Sequence, residues 1–234
     1  LRALPQMRMA RKKLLRAAAG RMHKGGMTII LQGVLAAEDL VRVRSELTAL
    51  TFVDGKRTAG AVARGVKHNL QADGSDPKVQ ALERFVVEAL RRHPLFEIAA
   101  RPARLTRLLF SRYEPGMSYG AHTDDALMGP ADDKLRTDLA FTIFLENPSA
   151  YEGGALTIES ALGDQEIKLE AGDAILYPAG SIHCVAPVTS GARLAAVGWL
   201  ESYVADAGKR EILFDLSVAR HRLGESGAQR EELL

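Results

Sequence analysis

"DQEIKLEAGDAILYPAGSIHCVAPVTSGARLAAVGWLES" (residues 164–202) decides the fold. Four short apolar runs are separated by Ala-Gly-Asp, Pro-Ala-Gly and Thr-Ser-Gly turns. Runs this short, at this spacing, are the pattern of a β-sandwich or barrel and not of a helical protein. The same texture begins near residue 103. "ARLTRLLFSRYEPGMSYGAHTD" reads as a strand, a Pro-Gly turn at 115–116 and a second strand. "TDLAFTIFLE" (137–146) and "ALTIES" add two more. The expected class is therefore mainly β with flanking helices.

The helices lie on either side of that region. "AAEDLVRVRSELTAL" (36–50) sets Leu40, Val43, Leu47 and Leu50 on one helical face. A second helix opens with Asp76 as N-cap and Pro77 at its first position. It runs through Val79, Leu82, Phe85, Val86 and Leu90 and stops before Pro94. "MTIILQGVL" (27–35) is a short strand ending near Gly33, and Asp54-Gly55 is a hairpin signal. From Asp206 the chain reads as helix again. The expected divisions are 1–26, a basic extension outside the fold; 27–102, a strand and helices packing on the core; 103–205, the β core; and 206–234, a helical segment. The last of these ends on an apolar pair without a terminal cap, the pattern of an interrupted helix.

Composition narrows the function. The net charge is +2, but residues 1–26 carry eight Arg and Lys and no acid, so subtracting those eight leaves −6 for the remainder. A mildly acidic body does not suit phosphate binding, and no nucleic-acid partner is expected. The basic head reads in three ways: a transit-like segment, a nucleic-acid or membrane arm, or an extension upstream of Met27. The last is adopted here. No apolar run reaches the ~20 residues that span a bilayer, so no membrane partner is expected. Cys184 is the single cysteine. It excludes an internal disulfide and a cysteine-rich zinc site and agrees with a cytoplasmic location.

In "YGAHTDDALM" (119–128), His122 and Asp124 stand two residues apart at the end of a strand-like run. That spacing turns both side chains to one face. H-x-D alone is common by chance. His183, about sixty residues later in the β core, supplies a third donor, whereas His23, His68, His93 and His221 lie in the head, a polar loop, a helix end and the tail. Two histidines and one carboxylate form the facial triad of non-haem iron(II), which leaves positions open for a chelating co-substrate and dioxygen. Beyond His183, a turn at Thr189-Ser190-Gly191 would pair residues near 183 with residues near 193. In the favourable register His183 and Arg193 then share a face. An arginine there needs a partner, and a carboxylate fits its fork.

Taken in order, "VDGKRTAG", "RYEPGMSYGAHTD", "RTDLAFTIFLENPSAYEGGALTI", "AGDAILYPAGSIHCVAPVTSGARLAAVGWLES" and "DAGKREILFDL" resemble the iron(II)- and 2-oxoglutarate-dependent dioxygenases. Within that superfamily the likeness is to the bacterial PKHD-type hydroxylases, relatives of the prolyl 4-hydroxylases, over residues 27–234. The resemblance implies a double-stranded β-helix (jelly roll). It also implies Fe(2+) on His122, Asp124 and His183, and 2-oxoglutarate held by Arg193 through its distal carboxylate. Ascorbate enters as a reductant, and O2 and a small-molecule or peptide substrate complete the reaction, which releases succinate and CO2. Tyr113 and Tyr177 are candidates for hydrogen bonds to the co-substrate or a ligand, against the alternative of an aromatic wall, favoured for Tyr177. Leu109, Leu139, Leu176 and Trp199 read as core. Lys67 and Asn69 read either as the substrate mouth or as a solvated loop, and Cys184 as a small packed group. Two readings compete: a metal-binding sensor without turnover, against which Arg193 argues, since a sensor needs no carboxylate anchor, and the same chemistry acting on a methylated nucleic acid, which the acidic body disfavours. Substrate identity is not legible, and a homo-oligomer is compatible with the sequence.

Overall fold

The computed structural model describes residues 27–60, 63–160 and 163–225. Strands in chain order are β1 (Ile29–Leu31), β2 (Phe52–Asp54), β3 (Lys67–His68), β4 (Leu70–Ala72), β5 (Pro102–Leu105), β6 (Leu109–Tyr113), β7 (Ser118–His122), β8 (Leu127–Met128), β9 (Leu135–Arg136), β10 (Leu139–Phe144), β11 (Tyr151–Gly153), β12 (Leu156–Ile158), β13 (Gln165–Ile167), β14 (Ala174–Pro178), β15 (His183–Val185), β16 (Val188–Gly191) and β17 (Arg193–Ser202). Four α-helices accompany them among the described residues: α1 (Ala37–Thr48), α2 (Pro77–Arg91), α3 (Pro94–Ala100) and α4 (Ala207–Glu225). All strand pairs are antiparallel.

Two sheets face one another in a jelly roll. The larger runs β1-β14-β10-β17-β6-β4-β2, with β5 pairing the far end of β17; the smaller runs β13-β12-β15-β7-β3. Alternation along the large sheet separates two cores. Phe110, Leu139, Phe141, Ile143, Leu176 and Leu200 turn outward onto the helices. Tyr113, Ala140, Phe144, Ile175 and Tyr177 turn inward onto Leu156, Ile158 and Val185 of the small sheet. With both faces covered, β10 is buried at every position, which is why "LAFTIF" reads as an unbroken apolar run.

The helical layer follows its sequence signals. Asp76 caps α2, its carboxylate accepting from the Lys78 N–H at 2.8 Å, and Pro77 takes the first position. Val79, Leu82, Val86 and Leu90 are buried along one stripe, each such side chain contributing about 1.5–3 kcal/mol. Phe96 of α3 meets Phe141 edge-on at 6.1 Å. The ring fits because position 198 is glycine: a Cβ there would stand 2.6 Å from the Phe141 ring.

Two expected connections are corrected. Asp54-Gly55 does not form a two-residue hairpin. The Asp54 carboxylate accepts from the Lys56 N–H at 2.9 Å and starts a short 3-10 turn, and β2 pairs instead with β4 beyond residue 69. His183 and Arg193 do not pair across a Thr-Ser-Gly hairpin either. His183 lies in the small sheet and Arg193 in the large one. Between them, Val188–Gly191 forms an additional strand against β11. Pro187, which has no N–H, precedes this strand, and Gly191 leaves it in the left-handed region at φ 70°. The segment thus contains five strands where four are expected.

Candidate active site

β7 and β15 are neighbours in the small sheet, and their register places His183 opposite His122. The two rings stand 4.3 Å apart. Asp124 follows β7 in a loop, so it reaches the same point without being part of the strand. Its own N–H donates to the Ala179 carbonyl at 3.3 Å, tying that loop to the end of β14. His122 Nε2 is 3.9 Å from Asp124 Oδ1, and His183 Nε2 is 3.8 Å from Asp124 Oδ2. One donor atom from each residue lies within 4.8 Å of the other two. Side-chain exposure is 5%, 6% and 7% for His122, Asp124 and His183.

The donor set fits a divalent metal on three grounds. His122 Nδ1 is 2.8 Å from the Gly120 carbonyl, and His183 Nδ1 is 2.9 Å from the Ser181 carbonyl. A carbonyl only accepts, so each Nδ1 carries the proton and each Nε2 keeps its lone pair toward Asp124. Asp124 Oδ2 is buried with no hydrogen-bond donor. A carboxylate oxygen so placed needs a cation. Among the described residues this is the one cluster of His, Cys, Asp and Glu with such geometry.

Neighbouring rings hold the cluster. Tyr119 stacks on His122 at 3.7 Å and 20°, and Tyr177 meets His183 edge-on at 5.3 Å. Burial lowers the His122 pKa to about 4, reinforced by His183. Burial raises Asp124, with His183 pulling the other way. Hence, in the metal-free protein, the His122 ring proton signals should titrate near pH 4 in a histidine NMR series, not near the ordinary 6.5. The unfolded chain takes up this proton first, so His122 lowers stability as pH falls from about 6.5 through about 4. Titration of His122 near 6.5 would contradict the burial argument.

Arg193 enters the same chamber from the opposite sheet. It is 1% exposed, and its Nε has no partner. In register it faces Tyr113, whose ring centroid lies 5.3 Å from the guanidinium carbon, with Phe144 at 5.4 Å. Gly154, at φ 62°, leaves room for its stem: a Cβ there would stand 3.2 Å from Arg193 Cδ. Tyr113 and Tyr177 are both buried, and burial raises both phenols.

The chamber is lined by all six residues singled out for it in the sequence: His122, Asp124, His183, Arg193, Tyr113 and Tyr177. Lys67 and Asn69 line it too, buried and not solvated. Leu109 and Trp199 also face it, whereas Leu139 and Leu176 lie in the core. Cys184 is half-buried, and His68 is exposed. Thr58, Gln71, Ser111, Tyr119 and Thr142 are lining residues that sequence reasoning does not reach. For Ser111 a signal existed, since it alternates with Tyr113 along β6. The mouth continues into a groove between β5 and the β8–β9 pair, lined by Leu105, Leu127, Met128 and Leu135.

Fold and donor set together define a non-haem iron oxygenase, and the comparisons agree. Residues 108–201 match the family described as the 2OG-Fe(II) oxygenase superfamily. Over 199 residues the chain is 51% identical to a PKHD-type hydroxylase of Picosynechococcus, covering 85% of this chain and 89% of that one. A PKHD-type hydroxylase of Synechococcus elongatus is 47% identical over 197 residues, 84% of this chain and 88% of that one. Among solved structures, a Trichoplax adhaerens prolyl hydroxylase in complex with a hypoxia inducible factor peptide fragment superposes with a TM-score of 0.56. Its identity is 15%, with 89% of this chain and 95% of that one covered, a likeness of fold. The chain belongs to the PKHD-type hydroxylases, and it is a 2-oxoglutarate-dependent oxygenase.

Proposed function

We propose that His122, Asp124 and His183 hold the ferrous ion and that Arg193 takes the distal carboxylate of 2-oxoglutarate, in an enzyme that hydroxylates a small-molecule or peptidyl acceptor. The observation that carries this reading is the buried Asp124 carboxylate, its Oδ2 without a hydrogen-bond partner, with one oxygen toward each histidine Nε2, and the unpartnered Arg193 Nε across the same chamber.

When bound, ferrous iron with 2-oxoglutarate and O2 supplies the oxidising chemistry that turns the keto acid into succinate and CO2 and places one oxygen atom in an acceptor C–H bond. The rest falls to this chain. Gly120 and Ser181 carbonyls fix the histidine tautomers, and Asp124 offsets part of the metal charge. Arg193 orients the co-substrate through a two-pronged, charge-assisted contact, and its position is set by Tyr113 and Phe144. Tyr177 braces His183. Leu109, Leu156, Val185 and Val197 give the chamber apolar walls that exclude water. Ascorbate is proposed as an external reductant and the cytoplasm as the place of action, in keeping with the unpaired Cys184.

Anaerobic addition of Fe(II) and then 2-oxoglutarate should produce the weak visible charge-transfer band of a chelated keto acid, and admission of O2 should yield succinate. A folded protein that gives neither band nor succinate at saturating concentrations refutes the assignment.

A further inference from the structure

One wall of the chamber has no part in the roles above. "KHNLQ" (67–71) spans β3 and β4, and alternation along it sends Lys67, Asn69 and Gln71 inward while His68 faces solvent. Lys67 is 5% exposed and Asn69 2%. Lys67 Nζ donates to Thr58 Oγ1 at 3.2 Å, and Thr58 in turn donates to Gln71 Oε1 at 2.7 Å, so the ammonium is held in place by a relay of neutral groups. Among the described residues no carboxylate lies within ion-pair distance of it; Asp124 and Asp54 act on it only through space. Asp125, at the mouth, packs against Gly60. Asn69 leans toward the Tyr113 hydroxyl, yet neither its Oδ1 nor its Nδ2 closes a hydrogen bond.

A buried ammonium that faces the Tyr119 ring at 5.0 Å but has no counter-ion, beside a buried amide whose Oδ1 and Nδ2 lack hydrogen-bond partners, is costly unless a ligand completes it. Charge balance points the same way and rests on the reading proposed above. With that reading's ligands in place, Asp124, the ferrous ion, Arg193 and the 2-oxoglutarate dianion cancel one another. The charge of Lys67 is left over. The ligand that answers it is an anion other than the co-substrate. Their backbones stand two residues apart along an extended segment, roughly 7 Å, and both side chains enter the chamber. A carboxylate and the acyl amide of one amino acid, with a hydrogen bond at each end, bridge such a span.

We infer that Lys67 and Asn69 form the acceptor subsite and that the acceptor is an α-amido carboxylate: an N-acyl amino acid or the C-terminal residue of a peptide. Lys67 holds the carboxylate, Asn69 pairs with the amide, and the side chain of that residue is directed toward the metal cluster.

The test uses protein loaded with redox-inert Zn(II) and 2-oxoglutarate. The probes are a panel of N-acetyl amino acids, the same residues at the C-terminus of tripeptides, and the methyl ester of each. Binding is read by ligand-observed NMR and calorimetry. Acids should bind at least about ten-fold more tightly than their esters. Lys67→Met should erase that difference, and Lys67→Arg should keep part of it, with far-UV circular dichroism confirming the fold of each. Binding confined to tripeptides, or to acetyl amino acids, supports the inference and names the source. Equal binding of acids and esters, or no binding by either, overturns it. So does a Lys67→Met variant whose main defect is in 2-oxoglutarate affinity, because the ammonium then serves the co-substrate. Failure of the underlying reading has a different signature: wild-type protein that does not take up 2-oxoglutarate at all, or an Arg193→Met variant that takes it up normally.

Discussion

Asp124→Ala should bind metal at least about 100-fold more weakly than the wild type and form no detectable succinate. Altering a partner that merely supports a ligand already costs roughly 10–100-fold, and Asp124 is proposed as a ligand itself. Its loss would leave a divalent ion between two neutral imidazoles in a buried chamber, with no anionic protein ligand. The metal-free variant, in contrast, should melt no lower than the metal-free wild type. Burial is the largest influence on the Asp124 carboxylate and disfavours it, His183 and Trp199 offset this only in part, and its Oδ2 has no hydrogen-bond partner. Calorimetric titration with Mn(II), melting curves with and without metal, and a succinate assay read the three quantities separately. In the wild type, metal at 100 times its Kd should add about 2.7 kcal/mol of stability; in the variant that increment should vanish. Unchanged metal uptake and ordinary turnover would remove Asp124 from the site.

The second large effect is expected at Arg193. Truncating one partner of a buried, hydrogen-bonded charge pair costs about 2–5 kcal/mol, or roughly 30- to 5,000-fold in affinity. Arg193→Met should therefore raise the 2-oxoglutarate requirement by that factor while metal affinity changes little, because the guanidinium lies in the sheet opposite the histidines. Arg193→Lys should not restore function, since a single ammonium cannot reproduce the fork. Succinate formation as a function of 2-oxoglutarate concentration, alongside metal titration, separates the two. A variant that saturates at wild-type concentrations would mean that the distal carboxylate rests elsewhere.

Much of this was legible because the two relevant periodicities are strong. Val79, Leu82, Val86 and Leu90 mark α2 unmistakably, and Asp76-Pro77 marks its start. The unbroken "LAFTIF" announces a strand covered on both faces. His122, Asp124 and His183 stood out because the triad is defined by donor type. What sequence could not supply was the partnering of strands. The Thr-Ser-Gly turn predicts His183 and Arg193 in one hairpin, whereas the chain leaves the small sheet after Pro187 and spends four residues against β11. Both side chains line the same chamber regardless, from opposite walls. Trp199 and Leu109 read as core because an inward-facing residue looks the same whether it meets another side chain or an internal chamber. Lys67 was ambiguous for the converse reason. Only the packing of β3 against β7 shows that its loop is closed over.

The placement of His183 and Arg193 in separate sheets has a consequence for how this enzyme keeps its calibration. The gap between them is not spanned by a flexible hairpin. It is gauged by the bulk of Phe144, Ile158, Ile175 and Leu156, wedged between the layers. These residues act as shims, and a sequence that drifts on its helical exterior can preserve the tolerance of its chemistry so long as the thickness of that filling is kept.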